Sequence, residues 1–318
     1  MSSALQNGKP PFFSIIVPTY NRADMISATI DSCLQQTWHD FELLVIDDGS
    51  SDHTEAVVTA INDHRIRYIK RDNGGPAAAR NTGIMAARGR YLAFLDSDDR
   101  FLPEKLAHYH DRIMTSGAAV CYGPIYVDRG VGKMWIRPES GMRQDENAFD
   151  WTFLRRGFFQ TSTLVVETSL ARKHPFLETL WFGDNDQFGI DLWRSGAQLE
   201  YIEEPLVVYT DGYDSDRLSQ APVFAATSPM HERFFDWVES HRAEMSPAAY
   251  LAYRARFRSR LTAKSSPREA ISDLIAAYRA NALSGKECIR QSVQTFFPDI
   301  YRRLADLVAR YRGVQMSS

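Results

Sequence analysis

Cysteine is scarce in this chain: three in 318 residues, Cys33, Cys121 and Cys288. They stand far apart with no metal-ligand spacing, which excludes a disulfide framework and a zinc site and fits reduced thiols in a cytoplasmic protein. Long apolar runs are missing as well. None approaches the ~18 residues that span a bilayer, and the opening MSSALQNGKPPFF lacks the apolar core of a secretory signal. No G-x-G-x-x-G follows the first apolar run, and no G-x-x-x-x-G-K-[ST] occurs, so dinucleotide oxidoreductases and phosphate-loop hydrolases lose support. There is no internal repeat, no low-complexity tract and no feature that points to nucleic acid.

What is present is ordinary in bulk and uneven in detail. An apolar content of 44% with 24% charged residues is that of a soluble globular protein. The length fits one large α/β domain with a smaller appendage. The net charge of −3 hides an asymmetry. From residue 231 onward there are 15 Lys and Arg against 9 Asp and Glu, while the preceding 230 residues carry 22 against 31. The acidic part suits cation binding, and the basic tail suits an anionic partner.

Strand and helix patterns alternate through the first hundred residues. FSIIV at 13–17 predicts a buried strand and residues 21–37 a helix, with Met25, Ile26, Ile30, Cys33 and Leu34 on one face. FELLVI at 41–46 predicts a strand, Asp52 to about residue 61 a helix, 66–69 a strand, and Pro76 the first position of a helix. A strand at 91–95 and a helix from 103 follow. Such alternation predicts an α/β fold with a mostly parallel, doubly wound sheet. Further strands are expected at 118–127, 163–166, 198–202 and 206–209, and helical segments at 149–156 and 184–194. A polar loop at 211–230 then separates the domain at 12–210 from helices at 231–242, 247–262, 267–283 and 286–311, the last broken near Pro298.

The unusual chemistry sits at the carboxyl ends of the predicted strands, where open α/β sheets bind ligands. RYLAFLDSDDR at 90–100 is the centre of it: an apolar strand that stops at Asp96-Ser97-Asp98-Asp99. These carboxylates repel one another unless a cation sits among them. In extended chain Asp96 and Asp98 point the same way, so a divalent metal carrying a phosphate suits them. An acidic surface turn is the plainer alternative. Pro18-Thr19-Tyr20-Asn21-Arg22 follows the first strand and Asp47-Asp48 the second. An aromatic to stack a base, carboxylates for ribose or ring nitrogens, an arginine for phosphate and an acidic metal site together describe a nucleotide pocket. In Asn73-Gly74-Gly75-Pro76-Ala77-Ala78-Ala79-Arg80 the small residues suit close helix–sheet packing, and the helix start with Arg80 can face a diphosphate.

VPTYNR at 17–22, VIDDGSSDHT at 45–54, NGGPAAARNTG at 73–83 and FLDSDD at 94–99 together resemble the nucleotide-sugar half of family 2 glycosyltransferases, of the GT-A fold, over roughly residues 12–210. The resemblance implies an inverting transferase in which a divalent metal (Mn²⁺ or Mg²⁺) holds the donor diphosphate while a base deprotonates the acceptor hydroxyl. It implies that Pro18, Thr19, Tyr20 and Asp48 lie at the nucleoside and Arg22 and Arg80 at the phosphates. Asp96 and Ser97 would border the ribose and metal-bound waters, and Asp98, with Asp96, would hold the metal. The base in this family comes from a Glu-Asp pair opening a helix. Here the matching segment, FLETLWFGDNDQFGIDLWRSG at 176–196, has Gly183 in place of the Glu, followed by Asp184 and Asp186. Asp184 is the expected base and Asp186 the alternative; simple helix capping is the plainer role for either. Arg217, in DSDRLS, is a candidate lid over the diphosphate.

In the basic tail, YLAYRARFRSRL at 250–261 sets Tyr250, Tyr253, Phe257 and Leu261 on one helical face with arginines beside it. Such a helix can lie on anionic membrane, or pack its stripe on the catalytic domain with the arginines solvated. Leu274, Ile275 and Tyr278, with Leu304, Leu307, Val308 and Tyr311, are expected to form core among themselves. The expected function is hexose transfer, from a UDP-sugar, to a saccharide or lipid-linked saccharide in bacterial surface-glycan synthesis, by a cytoplasmic protein placed peripherally at the membrane. The alternatives are a glycolipid synthase and a nucleotide-sugar-binding protein without transferase activity, the latter prompted by Gly183.

Overall fold

The computed structural model describes residues 9–211 and 229–312. Its first strand, β1 (Phe13–Thr19), is buried at every position, as a continuous apolar run covered on both faces must be. After helix α1 (Ile26–Leu34), β2 (Phe41–Asp47) pairs with β1 in parallel, from Phe13 opposite Phe41 to Thr19 opposite Asp47. Helix α2 (Thr54–Thr59) leads to β3 (Ile66–Lys70) on the far side of β2. The chain then returns through α3 (Pro76–Ala86), whose Ala77, Ala78 and Ala79 are buried, and lays β4 (Tyr91–Phe94) parallel to β1 on its other side. The direction of winding therefore reverses between β1 and β4. That reversal opens a crevice at their carboxyl ends, the ligand position of open α/β sheets.

The chain continues through β5 (Arg100–Phe101), α4 (Lys105–Ser116), β6 (Val120–Tyr122), β7 (Ile125–Asp128), β8 (Trp135–Arg137) and β9 (Val165–Glu167). Then follow α5 (Thr168–Lys173), α6 (Asp184–Arg194), β10 (Leu199–Tyr201) and β11 (Val207–Thr210). The main sheet has seven strands in the order β10-β6-β9-β4-β1-β2-β3. It is parallel except at β9, which runs antiparallel to both β4 and β6. A smaller sheet has the order β5-β11-β7-β8. The predicted helix at 149–156 is a single π-helical stretch, Asp150–Leu154.

The chain divides into two compact units, and residues 128–135 and 142–158 belong with the C-terminal one. That unit holds α7 (Pro229–Ser240), α8 (Pro247–Tyr253), α9 (Ser259–Thr262), α10 (Pro267–Arg279), α11 (Gly285–Phe296) and α12 (Pro298–Arg312). Its small core gathers Ala252, Ala255, Leu274, Ala277, Ala282 and Leu283. At 250–261 the start of the stripe is buried, and the arginines, expected in solvent if the stripe packed on the protein, are ion-paired within the C-terminal unit. Tyr250 and Tyr253 are buried, Arg254 pairs with Asp273, Arg256 with Glu287 at 2.6 Å and Arg258 with Glu269 at 3.0 Å. The expected core at the later helices is corrected: Leu274 is buried, but Ile275, Tyr278, Leu304, Leu307, Val308 and Tyr311 face solvent. Pro298 does break the final helix, between α11 and α12.

Candidate active site

The Asp96–Asp99 turn emerges from β4 into the crevice, and its four residues have separate fates. Asp99 is fully buried and holds the turn from within. It accepts from Ser162 Oγ at 2.6 Å and from the Thr210 amide at 3.3 Å. Thr29 Oγ1, on α1, donates to the carbonyls of Ser97 and Asp99 at 2.9 and 3.0 Å. Ser97 is buried, whereas Asp96 and Asp98 stay partly exposed on the crevice side. A rigid underside thus presents two carboxylates outward.

Arg80, on α3, ties this turn to α6. Its Nη2 donates to Asp96 Oδ1 at 2.6 Å and its Nη1 to Asp184 Oδ2 at 2.5 Å. The guanidinium lies 5.3 Å from the Phe176 ring centroid and is buried, and its Nε has no hydrogen-bond partner among the described residues. Burial works against its charge, but Asp96 and Asp184 outweigh that and hold its pKa above the ordinary arginine value. Arg80, expected at the diphosphate, is here committed on both arms to carboxylates.

At the end of β2, Asp47 accepts the Tyr68 hydroxyl and the Ser50 amide. Asp48 accepts the amides of Gly74 and Gly75, the latter at 2.7 Å, and Arg71 Nη1 at 2.5 Å. The carboxylate expected at the nucleoside therefore also shapes the turn that starts α3. Gly75 takes φ +89°, and a Cβ there would lie 2.7 Å from the Trp181 indole, so only glycine lets that ring close on the turn. Arg71 carried no signal in the sequence beyond being a charged residue near a turn.

The loop after β1 is laced to the loop after β2. The Asn21 amide donates to Ser50 Oγ at 2.9 Å, the Arg22 amide to Thr54 Oγ1 at 3.0 Å and the Ala23 amide to Asp52 Oδ2 at 3.1 Å. Pro18 and Thr19 are buried, and Thr19 Oγ1 has no partner among the described residues. An unsatisfied buried hydroxyl at a strand end is costly unless something else completes it. Tyr20 is exposed at the mouth of the crevice, and Arg22 is half-buried. Arg217 lies outside the described residues.

Asp184 and Asp186 open α6 behind Gly183, whose φ of +73° is the left-handed conformation that glycine adopts without strain. That backbone accounts for the missing Glu. The N-cap position itself is Gly183, and both aspartates follow it in the first turn of the helix. Burial raises the pKa of Asp184 above the ordinary carboxylate value against the opposing pull of Arg80. Asp186 accepts the Phe159 amide at 3.2 Å, and burial pushes it up to about 7. Asp184 shares its partner with the acidic turn, and Asp186 does not.

The shift at Asp186 predicts a pH signature. Between the unfolded value of 3.8 and about 7 the folded state keeps a proton that the unfolded chain has lost. The stability that Asp186 contributes is therefore fully present below 3.8 and is lost as pH rises across that window. Asp186→Asn, neutral throughout, is expected to flatten this slope. Relative to wild type it should gain on the order of 1–3 kcal/mol between the acid and alkaline ends. Thermal melts across the window check this; an unchanged slope would show that Asp186 is ionised in the folded protein.

A metal at this position can be tested against the donor set. Asp96 keeps one oxygen on Arg80, and Asp98 is partly exposed beside it. Among the described residues no group of three or more His, Cys, Asp or Glu could enclose an ion. Two hard carboxylates without a closed cage suit an ion that takes its remaining ligands from phosphate oxygens and water. The residues fit such an ion.

Comparison with known proteins supplies the family and the fold. The family model described as glycosyl transferase family 2 matches residues 14–175, about half of the chain. An uncharacterized glycosyltransferase of Rickettsia typhi is 41% identical over 222 residues, which are 68% of this chain and 69% of that protein. The Escherichia coli UDP-Glc:alpha-D-GlcNAc-diphosphoundecaprenol beta-1,3-glucosyltransferase WfgD is 43% identical over 111 residues, 35% of this chain and 44% of that one. With several other curated relatives the match spans only 16–32% of their length. Among solved structures, Staphylococcus aureus TarS 1–349 in complex with UDP-GlcNAc superposes with a TM-score of 0.65 at 20% identity, covering 94% of this chain and 91% of that one. A Pyrobaculum calidifontis mannosyltransferase in complex with GDP-Man and Mn²⁺ gives 0.57 at 18% identity, covering 96% and 87%. These likenesses establish the GT-A fold. On the family match and the Rickettsia relative, the chain belongs to glycosyltransferase family 2.

Proposed function

We propose that this protein is an inverting, metal-dependent glycosyltransferase that moves a hexose from a UDP-sugar to a saccharide or lipid-linked saccharide. The observation that carries this reading is the Arg80 bridge, which brings the Asp96 turn and Asp184 together at the carboxyl ends of the sheet. Relatives named for diphosphoundecaprenol glucosylation and succinoglycan biosynthesis support surface-glycan assembly as the setting. The neighbours crystallised with UDP-GlcNAc and with GDP-Man and Mn²⁺ support a nucleotide-sugar donor and a divalent ion. Among the described residues no helix is long and apolar enough to cross a membrane.

In this reading Tyr20 stacks the base, while Pro18, Thr19 and Asp48 line the nucleoside. Asp96 and Ser97 border the ribose, Arg22 attends the phosphates, and Asp98 with Asp96 would hold the metal. When bound, the ion supplies Lewis acidity at the departing diphosphate. The leaving oxygen then needs no proton donor, so one carboxylate is enough, in contrast to the paired carboxyls of glycoside hydrolysis. Asp184 takes the proton of the acceptor hydroxyl as that oxygen attacks the open face of the sugar, and the anomeric centre inverts. Arg80 keeps Asp184 oriented and close to the donor turn.

A donor screen tests the substrate class. With Mn²⁺ present, UDP-hexoses are expected to raise the melting temperature, and UDP alone to raise it in part. Stabilisation by another nucleotide sugar, with no response to any UDP compound, would reassign the donor.

A further inference from the structure

We propose that the solvent side of α12 is a lipid-contact face that seats the C-terminal helical unit on an anionic bilayer surface. The helix is built inside out. Ile300, Leu304, Leu307, Val308 and Tyr311 recur at helical spacing along one stripe, and each is half exposed or more, Tyr311 to 83%. Phe297, just before the helix, extends the stripe and is 58% exposed. The inward side is the polar one: Asp306 is buried and accepts Arg129 Nη1 at 3.0 Å. A helix that turns its apolar stripe to water and its carboxylate to the protein is arranged for an apolar partner outside.

The charges beside the stripe select that partner. Arg303 and Arg310 flank it, exposed and without an acidic partner among the described residues. The helix's other acid, Asp299, stands in the first turn, where the helix amino end favours a carboxylate. Cations also gather at that end. Arg156 hydrogen-bonds Tyr301, and Arg260 and Arg290 lie near enough to act on this pair electrostatically. From residue 231 the chain carries 15 basic against 9 acidic residues. Asp299, one turn before Arg303, leaves that edge with two arginines to one acid, so a second copy laid on the stripe would meet a net like charge. A surface of anionic headgroups over acyl chains satisfies both features, as interfacial amphipathic helices do.

The test uses the full chain without nucleotide sugar, so it stands or falls apart from the transferase reading. Sedimentation is compared for vesicles of phosphatidylcholine alone and of phosphatidylcholine mixed with phosphatidylglycerol. Wild type is expected to pellet with the anionic vesicles and to be released by high salt. Leu304→Glu/Leu307→Glu should lower the affinity at least about tenfold through lost apolar contact. Arg303→Glu/Arg310→Glu should weaken it by on the order of tenfold or more through charge alone. These positions are solvent-facing, and unchanged circular dichroism confirms that the variants fold. Wild type that ignores anionic vesicles, or variants that pellet equally, would overturn the proposal. So would a dimer seen by ultracentrifugation that Leu304→Glu/Leu307→Glu dissociates, because the stripe would then belong to a second copy.

Discussion

Asp184→Asn is expected to lower kcat for sugar transfer by roughly 10²–10⁴-fold, with the donor KM close to that of wild type. The amide keeps the shape of the carboxyl and an acceptor oxygen for Arg80, so the link to the Asp96 turn survives while the proton acceptor is lost. The pH profile carries a second signature. Burial raises the Asp184 pKa, and Arg80 pulls it back down. The ionised form is the base, so kcat should fall as pH drops through that raised value, above the ordinary carboxylate range. Arg80→Met removes the opposing charge and should shift the acid limb upward. A merely structural role for Arg80 would lower activity without moving that limb. Equal kcat for Asp184→Asn and wild type would remove Asp184 from the chemistry.

Asp98→Ala is expected to abolish the joint stabilisation by Mn²⁺ and UDP and to cost several kcal/mol of transition-state stabilisation, roughly 10³-fold or more in rate. The turn is expected to survive this change, because the bonds among Asp99, Ser162 and Thr29 remain to hold it. Asp99→Ala is the instructive contrast. It removes the buried acceptor of Ser162 and Thr210 and should reduce stability as well as activity. Thermal melts with and without Mn²⁺ and UDP separate the two. An Asp98→Ala protein that still responds to Mn²⁺ would take that residue out of the ion site.

Much of the fold was readable from the chain because buried parallel strands write themselves as unbroken apolar runs, as in β1, β2 and β4. The acidic turn was readable too, since three carboxylates after such a run are costly without a purpose. The pairings were not. Arg80 and Asp184 are 104 positions apart, and no local spacing says that one arginine reaches both Asp184 and Asp96. Asp99 belongs to the same tetrapeptide as Asp98, but distant residues such as Ser162 and Thr210 close over it and make it internal. The C-terminal helices show a different blind spot. Apolar residues at 304, 307, 308 and 311 give the same periodicity whether the stripe faces a core or solvent. Periodicity fixes a face without fixing what that face meets, so the expected core became an exposed stripe. At 250–261 the reverse held, and arginines that could have met lipid are paired with Asp273, Glu287 and Glu269.

The most direct measurement is acceptor-dependent release of UDP, with mass spectrometry of the product. Wild type and Asp184→Asn are compared with Mn²⁺, a panel of UDP-hexoses and saccharide or lipid-linked saccharide acceptors. The predicted result is transfer of one hexose by wild type, with the anomeric configuration inverted, and its loss in Asp184→Asn while UDP binding persists. Wild type that binds UDP-sugars yet neither transfers nor hydrolyses any of them would contradict the transferase reading and leave a nucleotide-sugar-binding protein in its place.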